Sequence, residues 1–225
     1  MTKQLANFCP GCGYPIVMMM LNKVLEKNNL KDKAVLGLDI GCSLLGINSL
    51  PINTFQTHHG RVTPVMVGFK RANNQSICLG LTGDGGSYAI GLQNLLHAAK
   101  RDENITIIVI NNSLYAMTGG QSAPTTLKGQ KTITSPIGNK EEEFFGPELF
   151  ANVVQDGAYL ARSAVNDPKN LMEYLEKAIT TQQKGHFSLL EVLIFCPTNW
   201  KTTGAETINR LNKLKEVYKV GEIAK

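Results

Sequence analysis

The amino-acid sequence predicts an α/β fold, with a mainly parallel sheet flanked by helices and formed as a single domain over residues 1–225. Three observations carry that expectation. Helical and strand patterns alternate along the chain, as they do where crossover helices join parallel strands. No internal repeat, low-complexity tract or long linker interrupts the 225 residues, a length that suits one substantial domain. Finally, reactive side chains fall just past the strand patterns, at the edge where open α/β sheets bind ligands.

Taken in order, residues 15–28 place Ile16, Val17, Met20, Leu21, Val24 and Leu25 on one helical stripe. Residues 34–40 read as a buried strand that ends at Gly41-Cys42. Pro64 suits the first turn of a short helix running to Ala72. Residues 76–81 form a second strand pattern and lead into Thr82-Gly83-Asp84-Gly85-Gly86. The spacing then predicts a helix over 87–101, with Ile90, Leu92, Leu95, Leu96 and Ala99 on its apolar side. Residues 104–110 are a β-branched run ending at Asn111-Asn112. Residues 113–147 lack periodicity, and a loop of that length inside a domain is usually functional. A strand over 159–165 follows, then a helix from the Asp167 cap and Pro168 to about Gln183. The last strand, 187–195, ends at Cys196, and a final helix follows Gly204.

Composition excludes several functions. Hydrophobic residues make up 43% and charged residues 18%, and no apolar run approaches the roughly 20 residues of a membrane span. The first residues lead into Cys9 with no apolar leader, so the expected location is the cytoplasm. The net charge is +5, but Lys and Arg are interspersed with acids, unlike a nucleic-acid groove. A mild basic surplus suits an acidic protein partner. Five cysteines in a cytosolic chain point to metal ligation, catalysis or burial rather than disulfides.

Cys42, Asp84, Asn112 and Cys196 each follow a different strand pattern, so a parallel sheet would bring them to one edge. Glycines at 83, 85 and 86 let backbone approach a diphosphate, and the next helix offers its N-terminal N–H groups. An Asp carboxylate and an Asn amide oxygen can then hold a divalent metal bridging that diphosphate. Glycine turns are common on their own; the Asn pair after the next strand favours the cofactor reading. Cys9 and Cys12 form a C-x-x-C pair, which alone allows zinc, a redox dithiol or an iron–sulfur cluster. Cys78 lies within a strand pattern and reads as a small core hydrophobe.

The run from Gly83-Asp84-Gly85 to Asn111-Asn112 resembles the thiamine-diphosphate motif. Five further segments are Cys9-Pro10-Gly11-Cys12-Gly13, Ile40-Gly41-Cys42-Ser43, His59-Gly60-Arg61, residues 117–124 and Cys196-Pro197-Thr198-Asn199-Trp200. Together they resemble the β subunits of 2-oxoacid:ferredoxin oxidoreductases, over residues 8 to 200. That resemblance implies Mg²⁺ held by Asp84, Asn112 and the backbone carbonyl of Leu114. It implies a [4Fe–4S] cluster on Cys9, Cys12, Cys42 and Cys196. Cofactor contacts fall to Gly41, Ser43, Gly83, Gly85, Met117 and Thr118, and a catalytic role to His59. Segments 117–121 and 196–200 look closest to members acting on 2-oxoglutarate or 2-oxoisovalerate. Many relatives carry a second acid where this chain has Gly86.

The implied activity is oxidative decarboxylation of a 2-oxoacid to acyl-coenzyme A and CO₂. Electrons would pass through the cluster to ferredoxin. The cofactor's activating carboxylate comes from another domain in relatives, so the chain is expected to need an α subunit, with or without γ and δ subunits. Two other classes fit part of the pattern. A non-redox thiamine-diphosphate decarboxylase or synthase needs no four-cysteine set, and a zinc-stapled binding module needs no Gly-Asp-Gly and Asn-Asn pair.

Overall fold

The computed structural model describes residues 8–223; the leaderless start read from residues 1–7 lies outside them. Seven strands form one sheet in the order β2-β1-β3-β4-β6-β5-β7. They are β1 (Ala34–Leu38), β2 (Asn53–Gln56), β3 (Ile77–Gly83), β4 (Thr106–Asn111), β5 (Tyr159–Ala164), β6 (Ser188–Leu193) and β7 (Gly221–Glu222). Every pairing is parallel except the two-residue β7, which runs antiparallel to β5. The expected α/β architecture is therefore present. Among the described residues no helix is long and apolar enough to cross a membrane.

Alternation along each strand sorts the core onto two faces, because successive side chains point oppositely. Ile77, Leu79 and Leu81 join Leu36, Leu38, Ile108, Ile110 and Leu190 on one face. That face is covered by α1 (Tyr14–Lys27), by α5 (Pro168–Gln183) and by α7 (Gly204–Val217). Cys78, Ile107, Val109 and Leu189 face the other way. They pack under α2 (Val62–Ala72), α3 (Leu92–Lys100) and the short α4 (Gly146–Ala151). Both faces being buried explains why β3, β4 and β6 read as continuous apolar runs. Cys78 is fully buried in this layer, as its place within a strand led one to expect.

The cap residues behave as their chemistry dictates. Asp167 accepts from the Asn170 N–H at 3.0 Å and starts α5, while Thr203 and Glu206 form a capping box for α7. Several stretches differ from expectation: α4, the single turn α6 (Pro197–Trp200) and β7 were not read from the sequence. The single helix expected over 87–101 is a π-helical turn, Gly86–Ile90, followed by α3. β2 was not anticipated: its Asn-Thr-Phe-Gln sequence is short, half-exposed and without strong alternation.

Gly37 and Gly80 face each other on β1 and β3, and this lets α2 lie close to the sheet. A Cβ at Gly37 would stand 2.6 Å from the Met66 sulfur, so Met66 fills the space the glycines leave. Met66→Ala should therefore cost about 2–5 kcal/mol. Val65→Ala, at a position 41% exposed on the same helix, should change stability by less than about 0.5 kcal/mol. Urea midpoints of the two variants provide the comparison.

Candidate active site

The carboxyl ends of β1, β3 and β4 open on a cavity of about 220 Å³. Its walls include Gly41, Ser43, His59, Gly83, Asp84, Gly85, Asn112, Leu114, Met117 and Thr118, all the residues expected around the cofactor. Asp84 is 3% exposed. Its Oδ1 accepts from the Gly85 N–H at 2.9 Å, and its Oδ2 accepts from the Thr125 hydroxyl. Burial pushes the Asp84 carboxyl up to about 7; Thr125 and Gly85 pull it down, and the Glu191 charge adds to the rise. Asn112 Oδ1 accepts from the Leu114 N–H at 3.3 Å, across Ser113, which sits in the left-handed region at φ 62°. That turn carries Asn112 and Leu114 to the same cavity wall.

The donor set fits a metal-bound diphosphate. One carboxylate, one amide oxygen and one carbonyl are hard oxygen ligands, and a cation would take the place of the proton that burial favours on Asp84. A Cβ on Gly83 would meet nothing within 4 Å, so the cavity floor there is open backbone.

Gly86 has a different reason to be glycine. A Cβ there would lie 2.1 Å from Asp39 Oδ2. Asp39, just past β1 and 1% exposed, accepts from the Gly60 N–H at 2.7 Å and from the Thr82 hydroxyl at 2.9 Å. Its carboxylate thus occupies the space that a side chain at 86 would take. Burial raises the Asp39 pKa, against the hydrogen bond from Gly60 and the His59 ring. His59 Nδ1 lies 2.9 Å from the Ile40 carbonyl and 3.4 Å from Asp39. A carbonyl only accepts, so Nδ1 carries the hydrogen and Nε2 is left for the cavity. Arg61, by contrast, donates to the Ile90 carbonyl at 2.8 Å and is not part of the cavity wall.

Cys9, Cys12, Cys42 and Cys196 all line a second cavity of about 200 Å³. The two cavities share Tyr14, Cys42, Asn112, Ala116 and Met117. Gly13 makes the convergence possible. Its N–H donates to the Phe195 carbonyl at 3.0 Å, and a Cβ there would lie 2.7 Å from Ile194 Cβ. The N-terminal segment can therefore lie directly on the exit from β6, next to Cys196. Burial pushes the Cys12 thiol up to about 11 and Cys42 up to about 12, and neighbouring cysteines push both the same way. Cys196 is raised first by burial, opposed by the Asn199 amide. Among the described residues no three His, Cys, Asp or Glu side chains are gathered about a single metal-ion position.

Several contributors were not singled out from sequence. Tyr14 reaches both cavities and pairs its hydroxyl with Ser43 at 3.0 Å. Trp200 donates its indole N–H to the Asn112 carbonyl at 3.0 Å and braces the loop after β4. Asn199 donates to the Ala116 carbonyl at 3.0 Å and lies 3.7 Å from Cys196 Sγ. Thr118 and Gln121 bond each other within the loop, and Ser122 pairs with Thr132, so neither Gln121 nor Ser122 is turned to the cofactor cavity.

A parallel sheet with this glycine turn and Asn pair at one edge defines a thiamine-diphosphate-binding enzyme domain. The family described as thiamine pyrophosphate enzyme, C-terminal TPP binding domain, matches residues 39–192. The chain is 37% identical over 207 residues to 2-oxoglutarate synthase subunit KorB of Archaeoglobus fulgidus, covering 92% of this chain and 75% of that one. It is 31% identical over 220 residues to ketoisovalerate oxidoreductase subunit VorA of Methanothermobacter thermautotrophicus, covering 93% of this chain and 46% of the relative. It is also similar in fold, with a TM-score of 0.84 and 22% identity, to a solved 2-oxoglutarate:ferredoxin oxidoreductase from Magnetococcus marinus. That match covers 94% of this chain and 70% of the solved one. The chain belongs to the β-subunit family of the 2-oxoacid oxidoreductases.

The Asp84 environment sets a pH test. In the folded, metal-free chain its carboxyl titrates near 7, against about 3.9 when unfolded. Between those values the folded state holds a proton that the unfolded state releases, so this group lowers stability as pH rises through the window. Asp84→Asn should therefore be more stable than wild type at pH 8 by about 1–3 kcal/mol, with the gap closing towards pH 4. Urea unfolding in chelator at several pH values measures it; a wild type more stable at pH 8 would contradict the burial argument.

Proposed function

We propose that this chain is the thiamine-diphosphate-binding β subunit of an enzyme that oxidatively decarboxylates a 2-oxoacid to acyl-coenzyme A and CO₂. Residues 1–225 act as a single domain with an N-terminal cluster-ligand segment. Cys9, Cys12, Cys42 and Cys196 would hold a [4Fe–4S] cluster, which would supply the route for electrons to ferredoxin. The observation that carries this reading is the shared wall between the two cavities, with Cys42 and Asn112 lining both. A decarboxylase needs the first cavity alone, and a metal-stapled module needs only the second. Four thiols spread around about 200 Å³ suit a cubane better than one zinc ion, which draws sulfur ligands to about 2.3 Å from a single centre.

Bound thiamine diphosphate supplies the electron sink for loss of CO₂. The chain's own residues place it. Asp84, Asn112 and the Leu114 carbonyl would hold Mg²⁺, and Gly83 and Gly85 would let backbone approach the diphosphate. Gly41, Ser43, Met117 and Thr118 bound the space for cofactor and substrate, while His59 presents Nε2 as a hydrogen-bonding and proton-transfer group. The activating carboxylate comes from an α subunit, with or without γ and δ subunits, so the isolated chain is inactive. The names of the relatives favour a 2-oxoacid of the 2-oxoglutarate or 2-oxoisovalerate type, handled in the cytoplasm.

Anaerobic preparation of the assembled complex tests the reading. Wild type should be brown, with stoichiometric iron and sulfide, and should turn over one member of a 2-oxoacid panel with coenzyme A and ferredoxin. Cys196→Ser should lower iron content and abolish ferredoxin reduction, whereas Cys78→Ser should keep a full cluster. Colourless, zinc-loaded wild type, or iron lost from Cys78→Ser but not Cys196→Ser, would refute the cysteine assignment.

A further inference from the structure

Glu191 sits in the middle of β6 and is fully buried among apolar strands. An ionised carboxylate there is costly unless it is paired and hydrogen-bonded. Its partners are specific. Oε1 accepts from the Asn111 amide at 2.6 Å, and Oε2 accepts from the Tyr88 hydroxyl at 3.0 Å and from Arg162 at 3.3 Å. Asn111 immediately precedes the proposed metal ligand Asn112. Tyr88 belongs to the π-helical turn that begins directly after Gly85. One carboxylate thus bonds to the Asn pair after β4 and to the helical turn that follows the glycine half of the motif after β3.

Arg162 completes the device from the other side. It lies opposite Glu191 in the β5–β6 register and is itself fully buried. Its guanidinium donates to both oxygens of Glu148, at 2.6 and 2.7 Å, and lies 5.3 Å from the centre of the Tyr218 ring. Tyr218 donates to the Thr125 carbonyl at 2.9 Å, and the Thr125 hydroxyl donates to Asp84. The same network therefore reaches Asp84 by a second path.

We propose that Glu191 is a positioning residue that holds Asn111 and Tyr88 in place, and through them sets Asn112 and Asp84 at the separation a diphosphate-bound divalent cation requires. This rests on the assignment of Asp84 and Asn112 as metal ligands. Outer partners of ligands commonly govern metal affinity about 10–100-fold, because they fix the ligand's direction without touching the ion.

The test compares two carboxylates that share Arg162. Glu191→Gln keeps the shape but withdraws the charge from Asn111, Tyr88 and Arg162. Glu148→Gln disturbs Arg162 more, since Glu148 accepts its two shortest bonds, while touching neither Asn111 nor Tyr88. In the assembled complex, calorimetry at increasing Mg²⁺ gives the concentration that half-saturates thiamine diphosphate binding, and urea midpoints give stability. Glu191→Gln should raise the Mg²⁺ requirement by about tenfold or more. Glu148→Gln should leave it within about twofold, even where its stability loss is as large. Tyr88→Phe, which removes a single bond to Glu191, should raise the requirement by a few-fold and decides the matter if Glu191→Gln does not fold. Equal Mg²⁺ requirements in Glu191→Gln and Glu148→Gln, or no change in Tyr88→Phe, would overturn the proposal. Wild-type binding that needs no divalent ion would overturn the metal assignment itself, and the proposal with it.

Discussion

Parallel strands all leave the sheet at the same edge, and this one constraint organises the molecule. β1, β3, β4 and β6 pair without a reversal, so the residues after them have nowhere else to emerge. Cys42, Asp84, Asn112 and Cys196 arrive from four distant stretches of chain by the same geometric rule. Helices on both faces then seal the sheet, which leaves that edge as the place where polar groups and open space coexist. The proximity of the two cavities follows from neighbouring strand positions rather than from any special loop. Trp200 and Asn199 add cross-braces between the chain after Cys196 and the backbone at Asn112 and Ala116.

The burial that creates this edge also sets its electrostatics. Asp84 and the thiols of Cys12 and Cys42 are all biased towards their neutral forms by loss of water. Cations in either cavity would displace those protons, and each carboxylate or thiolate so formed would be stabilised by the ion that formed it.

Much of this was legible in the sequence, since it depends on local signals. Strand ends, the Asp167 cap, the Gly83-Asp84-Gly85 turn and the Asn111-Asn112 pair are each written in a short run of residues. What escaped is non-local. Asp39 reads as one residue within the strand expected over 34–40, and its meeting with Thr82, 43 positions away, has no sequence signature. Thr125 lies in an aperiodic loop, yet it reaches Asp84 across 41 positions. Glu191 looks like an interruption in an apolar strand until Arg162 is placed beside it by register. The π-helical turn was missed for a different reason: its apolar spacing matches an α-helix, and Gly91 at its end is held by the Gly86 carbonyl at 2.9 Å.

The contact between Gly86 and Asp39 constrains how this family can diverge. On this backbone a side chain at 86 and a carboxylate at 39 compete for one volume, since the first atom of the former would fall 2.1 Å from the latter. Each change therefore bears on the other. Gaining an acid at 86 while Asp39 remains brings two carboxylates into one volume, whereas losing Asp39 first takes the acceptor from the Gly60 N–H and one of two from the Thr82 hydroxyl. The two positions should therefore behave as an epistatic pair, a substitution at one changing the cost of a substitution at the other.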